Sequence, residues 1–290
     1  MNNDNLLIEE RARDIGQFLV GRLLPFRTKR QVGPFTFIDH MGPATIGPIK
    51  YVDVDQHPHI GLSTLTYLIE GEIEHKDSTG ANQVISSGDV GFMTSGQGVT
   101  HTERTPQALR NGNKHRLHGY QVWVALPKEK EEMAPNFQFI PKQDLPRLSQ
   151  DGLEITVIAG TGFGLTSPLT VYSPLFMVEI ISSKPKQLSI HDQVVGDIAI
   201  VVVSGEVEAN GETIGQGQML VSKSENTCEI RLKENTRVLL FGGAPLSEPR
   251  YLHWNFVSSS KDRLQQASED WKAKRFPKVK GDETYIPLTF

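Results

Sequence analysis

The chain of 290 residues carries a single cysteine, Cys228. One cysteine excludes an internal disulfide framework and fits a reducing, cytoplasmic setting. It lies in Thr227-Cys228-Glu229-Ile230, which reads as a strand with a buried, inert thiol. No apolar run is long enough to cross a bilayer. The opening Met1-Asn2-Asn3-Asp4, followed by Glu9, Glu10 and Arg11, does not read as a signal peptide. Charge of either sign is not in excess: the net value is -4, and nothing in it directs the chain to nucleic acid or an anionic membrane. Nucleotide-binding fingerprints are missing too. Gly160-Thr161-Gly162-Phe163-Gly164 matches neither the dinucleotide nor the P-loop pattern, and Leu165-Thr166-Ser167-Pro168 after it does not open a helix. Gly96-Gln97-Gly98 holds no nucleophile, so the serine-hydrolase elbow is absent.

What remains is a soluble composition, 38% hydrophobic and 22% charged, in a chain long enough for two domains. Short β-branched and aromatic runs between glycine-rich turns dominate it. They include Phe18–Leu24, Phe35–Ile38, Thr64–Ile69, Val90–Met93 and Tyr120–Leu126 in the first half. In the second half they include Ile155–Ile158, Leu175–Ile181, Ile198–Val203, Met219–Val221 and Val238–Phe241. This spacing predicts an all-β barrel or sandwich. Gly42, Pro43, Gly47 and Pro48 predict a loop after His40, and Lys128–Pro146, with three prolines, predicts a linker. A repeat supports duplication. Glu70-Gly71-Glu72-Ile73-Glu74 followed by Gly88-Asp89-Val90 is matched by Ser204-Gly205-Glu206-Val207-Glu208 followed by Gly217-Gln218-Met219. The expected domains are 1–130, a linker 131–147, and 148–290 with a helix over about 260–275. That helix would be capped by Ser258-Ser259-Ser260, carry Leu264, Ala267 and Trp271 on one face, and be stopped by Pro277.

The chemistry concentrates in His57-Pro58-His59 and His101-Thr102-Glu103. Residues i and i+2 of a strand share a face, so each pair offers two ligand heads side by side. Two such strands together would make a cage of His57, His59, His101 and Glu103, suited to iron, zinc, nickel or manganese. Pro58 fixes its own φ and places the pair near a strand end. Alone, a His-x-His also occurs as two histidines that hydrogen-bond on a surface strand. The second pair, with its glycine-rich approach Thr94–Thr100, turns the reading toward a metal. Among the other histidines, His40 follows Asp39 in a presumed loop and could line a pocket or orient a ligand. His75, beside Asp77, reads as structural; His115 and His118 read as a basic loop; His253 reads as surface; His191 has no nearby partner in the second half.

Several stretches resemble the pirin family of bicupins: His57–Leu62, Thr66–Gly71, Ser87–Asp89, Phe92–Glu103, Gln121–Pro127, Gly242–Pro249 and Trp254–Val257. The resemblance covers nearly the whole chain. It implies two cupin, jelly-roll-like β-barrels arranged face to face, with one divalent metal, Fe(II), held only in the N-terminal barrel by His57, His59, His101 and Glu103. Zinc, nickel or manganese could occupy the same ligands in a purified sample. The resemblance also implies a dioxygenase that cleaves flavonols such as quercetin with O2 and releases carbon monoxide. Glu103 would take the proton of the flavonol 3-hydroxyl. Other pirins imply an alternative, a metal-binding regulatory protein acting through protein partners, and a cupin enzyme with another substrate is a third. The chain departs from many pirins at Ser63, where a glutamate is common, which bears on how the metal ligands are tuned. An enclosed pocket lined by Phe35, Phe37, Phe92 and Met93, with His40, would favour the enzyme; a closed pocket with an exposed apolar patch would favour the regulator. A monomer in the cytoplasm is the expected form, with an aromatic enediol or flavonol and O2 as small-molecule partners.

Overall fold

The computed structural model describes residues 5–15, 18–111, 114–223, 227 and 229–288, so the reading of Cys228 lies outside the described residues. The chain divides into two compact units, and neither is one continuous segment. One comprises Ala12–Arg22, Phe37–Lys142 and Ser247–Phe290; the other comprises Met1–Arg11, Leu23–Thr36 and Gln143–Leu246.

The unit that holds both histidine pairs is built on two antiparallel sheets. The larger runs Asn136–Ile140, Val90–Thr94, Leu62–Glu70, His115–Ala125, Phe35–Ile46, Leu19–Leu24, Arg11–Asp14. The smaller runs Asp53–His59, Val99–Arg104, Glu72–Asp77, Asn82–Ser86. Alternation drives the arrangement: in Glu72–Asp77, Ile73, His75 and Asp77 are buried and the residues between them are only partly covered. Phe18, Val20, Met41, Ile46, Val52, Leu68, Ile73 and Leu117 form one core cluster there. The other unit repeats the plan, with an eight-stranded sheet and a four-stranded sheet of Lys186–Ser189, Glu229–Leu232, Glu206–Ala209, Glu212–Gly215. Its core is rich in β-branched side chains, among them Ile155, Val178, Ile198, Ile200, Val202 and Val238. The sequence repeat marks equivalent corners. Gly71 (φ +88°) and Gly205 (φ +79°) each pass the chain from the larger sheet to the smaller one of its unit.

Four expectations change. Phe35–Ile46 is one strand, so the loop expected at Gly42-Pro43 is absent. His115 and His118 lie on the strand His115–Ala125, not in a loop. The linker contains a strand, Asn136–Ile140, paired with Val90–Thr94 in the first unit. Its prolines flank that strand, and Phe137, Phe139 and Ile140 supply the β-forming side chains. Finally, Ser247–Phe290 groups with the histidine-bearing unit, where 148–290 had been expected to form the second barrel. The cause is the apolar face of the helix Lys261–Lys272, which places Leu264, Ala267 and Trp271 in a cluster with Ile60, Phe256 and Leu288. Ser260 caps this helix, accepting from Arg263 N at 3.3 Å. It ends at Lys272, before Pro277 can act. Lys274 turns left-handed (φ +57°), and Arg275 N donates to Asp270 O at 2.8 Å, a Schellman-type end. Among the described residues, no helix is long and apolar enough to cross a membrane.

Candidate metal centre

His57 and His59 stand on the edge strand of the small sheet, and Val99–Arg104 pairs with it so that His101 lies directly across from His57. The ladder then slips: His101 pairs with His57, but Glu103 pairs with Val54, so the edge strand carries one extra residue. One consequence is local. The carbonyl of Asp55, within the slip, accepts from His57 Nδ1 at 2.8 Å. The outer edge at Gln56 is covered by the C-terminal tail: Gln56 N donates to Thr284 Oγ1 at 3.2 Å and Ile286 N donates to Gln56 O at 3.0 Å. At the strand's end, Gly61 (φ +67°) lets Val257 approach; a Cβ there would lie 2.0 Å from Val257 O. That approach brings the carbonyl of Asn255 to His59 Nδ1, 3.1 Å away.

One ring nitrogen from each of His57, His59 and His101 lies within 4.8 Å of the others, and all three side chains are buried. Carbonyls only accept, so Nδ1 of His57 and of His59 carries the proton, and Nε2 keeps its lone pair. His101 Nε2 is buried and has no hydrogen-bond partner. Burial also holds the three rings neutral. Desolvation pushes His57 below the ordinary imidazole value, and His59 and His101 well below it; the neighbouring rings deepen the shift. Neutral imidazole is the ligating form. Two such nitrogens bound to one ion lie at most about 4.2 Å apart, so the triad closes on a cation with small side-chain movements. These observations fit the residues to a divalent metal.

His101 Nδ1 faces His75 Nδ1 at 3.4 Å, and His75 Nε2 lies 3.1 Å from Asp77 Oδ2. The His75 ring stacks on Phe137, with centroids 4.4 Å apart. The Asp77 carboxyl is held below its usual range: burial pushes it up, and hydrogen bonds from His75 and Thr79 more than offset that.

Glu103 is buried but lies outside the three-nitrogen cluster; Gln121 Nε2 donates to its Oε1. Glu103 and Gln121 border a void of about 20 Å³ whose wall includes Val20, Met41, Val54 and Ile73. None of Phe35, Phe37, His40, Phe92 and Met93, the expected pocket residues, lines it. Phe35 packs on Phe241 at 4.9 Å. Phe37 stacks on Trp123 at 4.0 Å under the Arg22 guanidinium. His40 stacks on Tyr120 and its Nε2 meets His118 Nε2 at 2.8 Å. Phe92 and Met93 are buried on their strand. Phe35 belongs to the other unit, and Phe37, His40, Phe92 and Met93 are buried on strands of the histidine-bearing unit. Ser63 bonds Thr94 through its hydroxyl at 3.0 Å and does not join the metal cluster. His191 is exposed beside Asp192, and His253 is exposed. Asn255, Asp55, Gln121 and His75 had not been singled out as parts of the site. The first two act through backbone carbonyls, which leave no trace in residue type.

A duplicated barrel with one buried histidine triad defines the class: a two-barrel protein of the cupin type with a single candidate metal site among the described residues. The family model described as Pirin matches residues 17–124, and that of the Pirin C-terminal cupin domain matches residues 178–277. A pirin-like protein of Caulobacter vibrioides is 45% identical over 98% of this chain and 99% of its own length. A Pseudomonas aeruginosa protein, provisionally named quercetin 2,3-dioxygenase, is 35% identical over 91% of this chain and 82% of its own. The crystal structure of a quercetin 2,3-dioxygenase from Acinetobacter baumannii superposes with a TM-score of 0.90 at 36% identity, covering 99% of this chain and 95% of that one. The chain belongs to the pirin family.

Proposed function

We propose that the chain is a metal-dependent dioxygenase that opens flavonols such as quercetin with O2 and releases carbon monoxide, working with Fe(II) held by His57, His59, His101 and Glu103. The observation that carries this reading is the buried triad of neutral imidazoles with Glu103 two residues from His101 on the same strand. Similarity to proteins named as quercetin dioxygenases supports the substrate class. A bound Fe(II) would supply Lewis acidity and an electron route to dioxygen; zinc, nickel or manganese would fit the same donors without all of that chemistry.

The protein's own residues do the rest. His57 and His59 present fixed lone pairs because two carbonyls hold their Nδ1 protons. Gln121 holds the Glu103 carboxylate by Oε1, which leaves Oε2 for the metal or for a proton but not both. Glu103 therefore loosens from the metal as it takes the proton of the flavonol 3-hydroxyl. The void beside Glu103 and Gln121 is walled mainly by apolar side chains, which would keep water from that carboxylate. A void of about 20 Å³ has room for one water, whereas pockets for drug-sized ligands run from about 300 Å³, so flavonol entry requires its walls to part. All proposed groups come from one chain, so a monomer suffices, and the single cysteine fits a cytoplasmic setting.

A second reading is a metal-binding regulator that acts through protein partners; the small void beside Glu103 is compatible with it. One experiment separates them: protein reconstituted anaerobically with Fe(II) is given quercetin and air, and oxygen uptake and carbon monoxide are measured. Stoichiometric release that disappears in His101→Ala supports the dioxygenase. No release from fully metallated protein overturns it and leaves the regulator or a cupin enzyme with another substrate.

A further inference from the structure

The three histidines are not held alike. His57 and His59 each give their Nδ1 proton to a backbone carbonyl, an acceptor that cannot change its role. His101 has no carbonyl. Its Nδ1 faces another imidazole nitrogen, which can donate or accept according to tautomer. The tautomer of His75 therefore decides that of His101.

We infer that Asp77 and His75 form a relay that fixes the tautomer and orientation of His101 as a metal ligand. Asp77 Oδ2 only accepts, so the proton of His75 sits on Nε2, 3.1 Å away. His75 Nδ1 is then an acceptor, and His101 Nδ1–H donates to it across 3.4 Å. His101 Nε2, buried and without a hydrogen-bond partner, is left with its lone pair free. Each group in the chain has one consistent role. The neighbours lock it. Phe137 stacks on the His75 ring at 12° between planes, and Asp77 Oδ1 is fixed by Thr79 N at 2.8 Å, Thr79 Oγ1 at 2.6 Å and Ala81 N at 3.2 Å. Asp77, His75 and His101 are on one sheet, with Thr79 and Ala81 in its adjoining turn, and Phe137 comes from the larger sheet: Asp77 pairs with His101, and His75 with Glu103. His75 and Asp77 are positioning residues; they act through His101. The inference rests on the metal reading of the triad and not on the identity of the organic substrate.

The relay makes a sharp demand of one substitution. In Asp77→Asn the amide oxygen can keep the bonds to Thr79 and Ala81, and the amide nitrogen then donates to His75 Nε2. His75 must move its proton to Nδ1, where it meets the Nδ1 proton of His101. Two donors face each other, and His101 loses its ligating tautomer or its orientation. In His75→Asn, by contrast, a side-chain carbonyl can replace the Nδ1 acceptor, whereas His75→Leu removes it.

The test is Co(II) affinity by chelator competition on the full chain, with the visible spectrum of bound Co(II) reporting its geometry. The melting temperature of each metal-free protein is measured beside it. The expected result is one Co(II) per wild-type chain, affinity weakened about ten- to a hundred-fold in Asp77→Asn and His75→Leu with an altered spectrum, and His75→Asn restored to near wild type. Wild-type affinity and spectrum in Asp77→Asn would overturn the relay. So would a loss in His75→Asn as large as in His75→Leu, since ring bulk would then be what matters. If His75→Leu fails to fold, Asp77→Asn decides alone. If the wild type binds no Co(II), the metal reading fails and the relay with it; failure of the flavonol reading shows separately, as metal-loaded protein that releases no carbon monoxide.

Discussion

Replacing Gln56 with leucine tests whether the C-terminal tail is part of the metal centre's frame. Gln56 is buried and precedes His57. Its Nε2 donates to Asp282 O at 2.9 Å and to Thr284 O at 3.0 Å, and its Oε1 accepts from Val279 N at 2.8 Å. Leucine has a similar volume, so the cavity cost is small and the loss is polar. Three bonds at about 1 kcal/mol each sum to about 3 kcal/mol, and the Val279 amide, buried, is left with no partner. Because 1.4 kcal/mol is a factor of ten, the tail should open about a hundred-fold more often. Hydrogen exchange at the amides of Val279 and Ile286, in wild type and Gln56→Leu, measures that opening directly. A melting temperature alone would miss it if the tail frays without the barrel. Exchange at both amides within a few-fold of wild type would refute the claim that this side chain secures the tail. Metal affinity should fall in the same variant, since His57 sits on the strand edge the tail covers.

Other outcomes follow from the same structure. Gly61→Ala puts a methyl group 2.0 Å from Val257 O at a positive φ; a loss of stability of at least about 2 kcal/mol is expected, with weaker metal binding because the Asn255 carbonyl is pushed from His59. Chemical denaturation and metal titration check it, and a wild-type midpoint would count against the close approach. Ile73→Ala enlarges the void beside Glu103; it should cost about 2–5 kcal/mol of stability and raise kcat/KM for quercetin, whereas an unchanged kcat/KM would mean that these walls do not limit entry. In metal-free protein, the folded state keeps His59 and His101 neutral while the unfolded chain takes up protons near pH 6.5. Stability from this source is therefore complete above pH 6.5 and falls below it, by up to about 1.4 kcal/mol per pH unit for each ring. Denaturation with a chelator at about pH 7.5 and about pH 5.5 reads the sign, and a higher midpoint at the acid value would contradict it.

Much of the fold was legible because its elements bury β-branched and aromatic side chains between glycine turns. Strands such as Leu62–Glu70 and Thr236–Gly243, and the corners at Gly71 and Gly205, follow from composition and spacing alone. Two of the misreadings share a cause, the use of proline as punctuation. Pro43 lies inside the strand Phe35–Ile46, and the prolines around Asn136–Ile140 enclose a strand that a linker reading passes over. The placement of the tail could not be read from its own residues. Helical spacing of Leu264, Ala267 and Trp271 shows that the helix has an apolar face, but besides Phe256 and Leu288 of the tail that face packs with Ile60, some two hundred positions earlier.

The candidate site shows the same limit in its chemistry. Side chains that would touch a metal stand out by type and by the i, i+2 period, and His57, His59 and His101 do meet. What aims them does not stand out. One ligand is held by the Asp55 carbonyl inside a register slip, one by the Asn255 carbonyl on a distant segment, and one by an imidazole. A carbonyl belongs to every residue, so its use as an orienting group depends on where the backbone runs, which spacing between histidines cannot report. His75 illustrates the converse. It was visible beside Asp77 as a structural pair, and it is structural in its stacking on Phe137, yet the same contacts place its free nitrogen against His101. Packing and ligand orientation are here one set of interactions. A change that loosens the return strand Glu72–Asp77 should therefore be felt at His101 before it is felt at His57 or His59, whose Nδ1 acceptors lie on other segments.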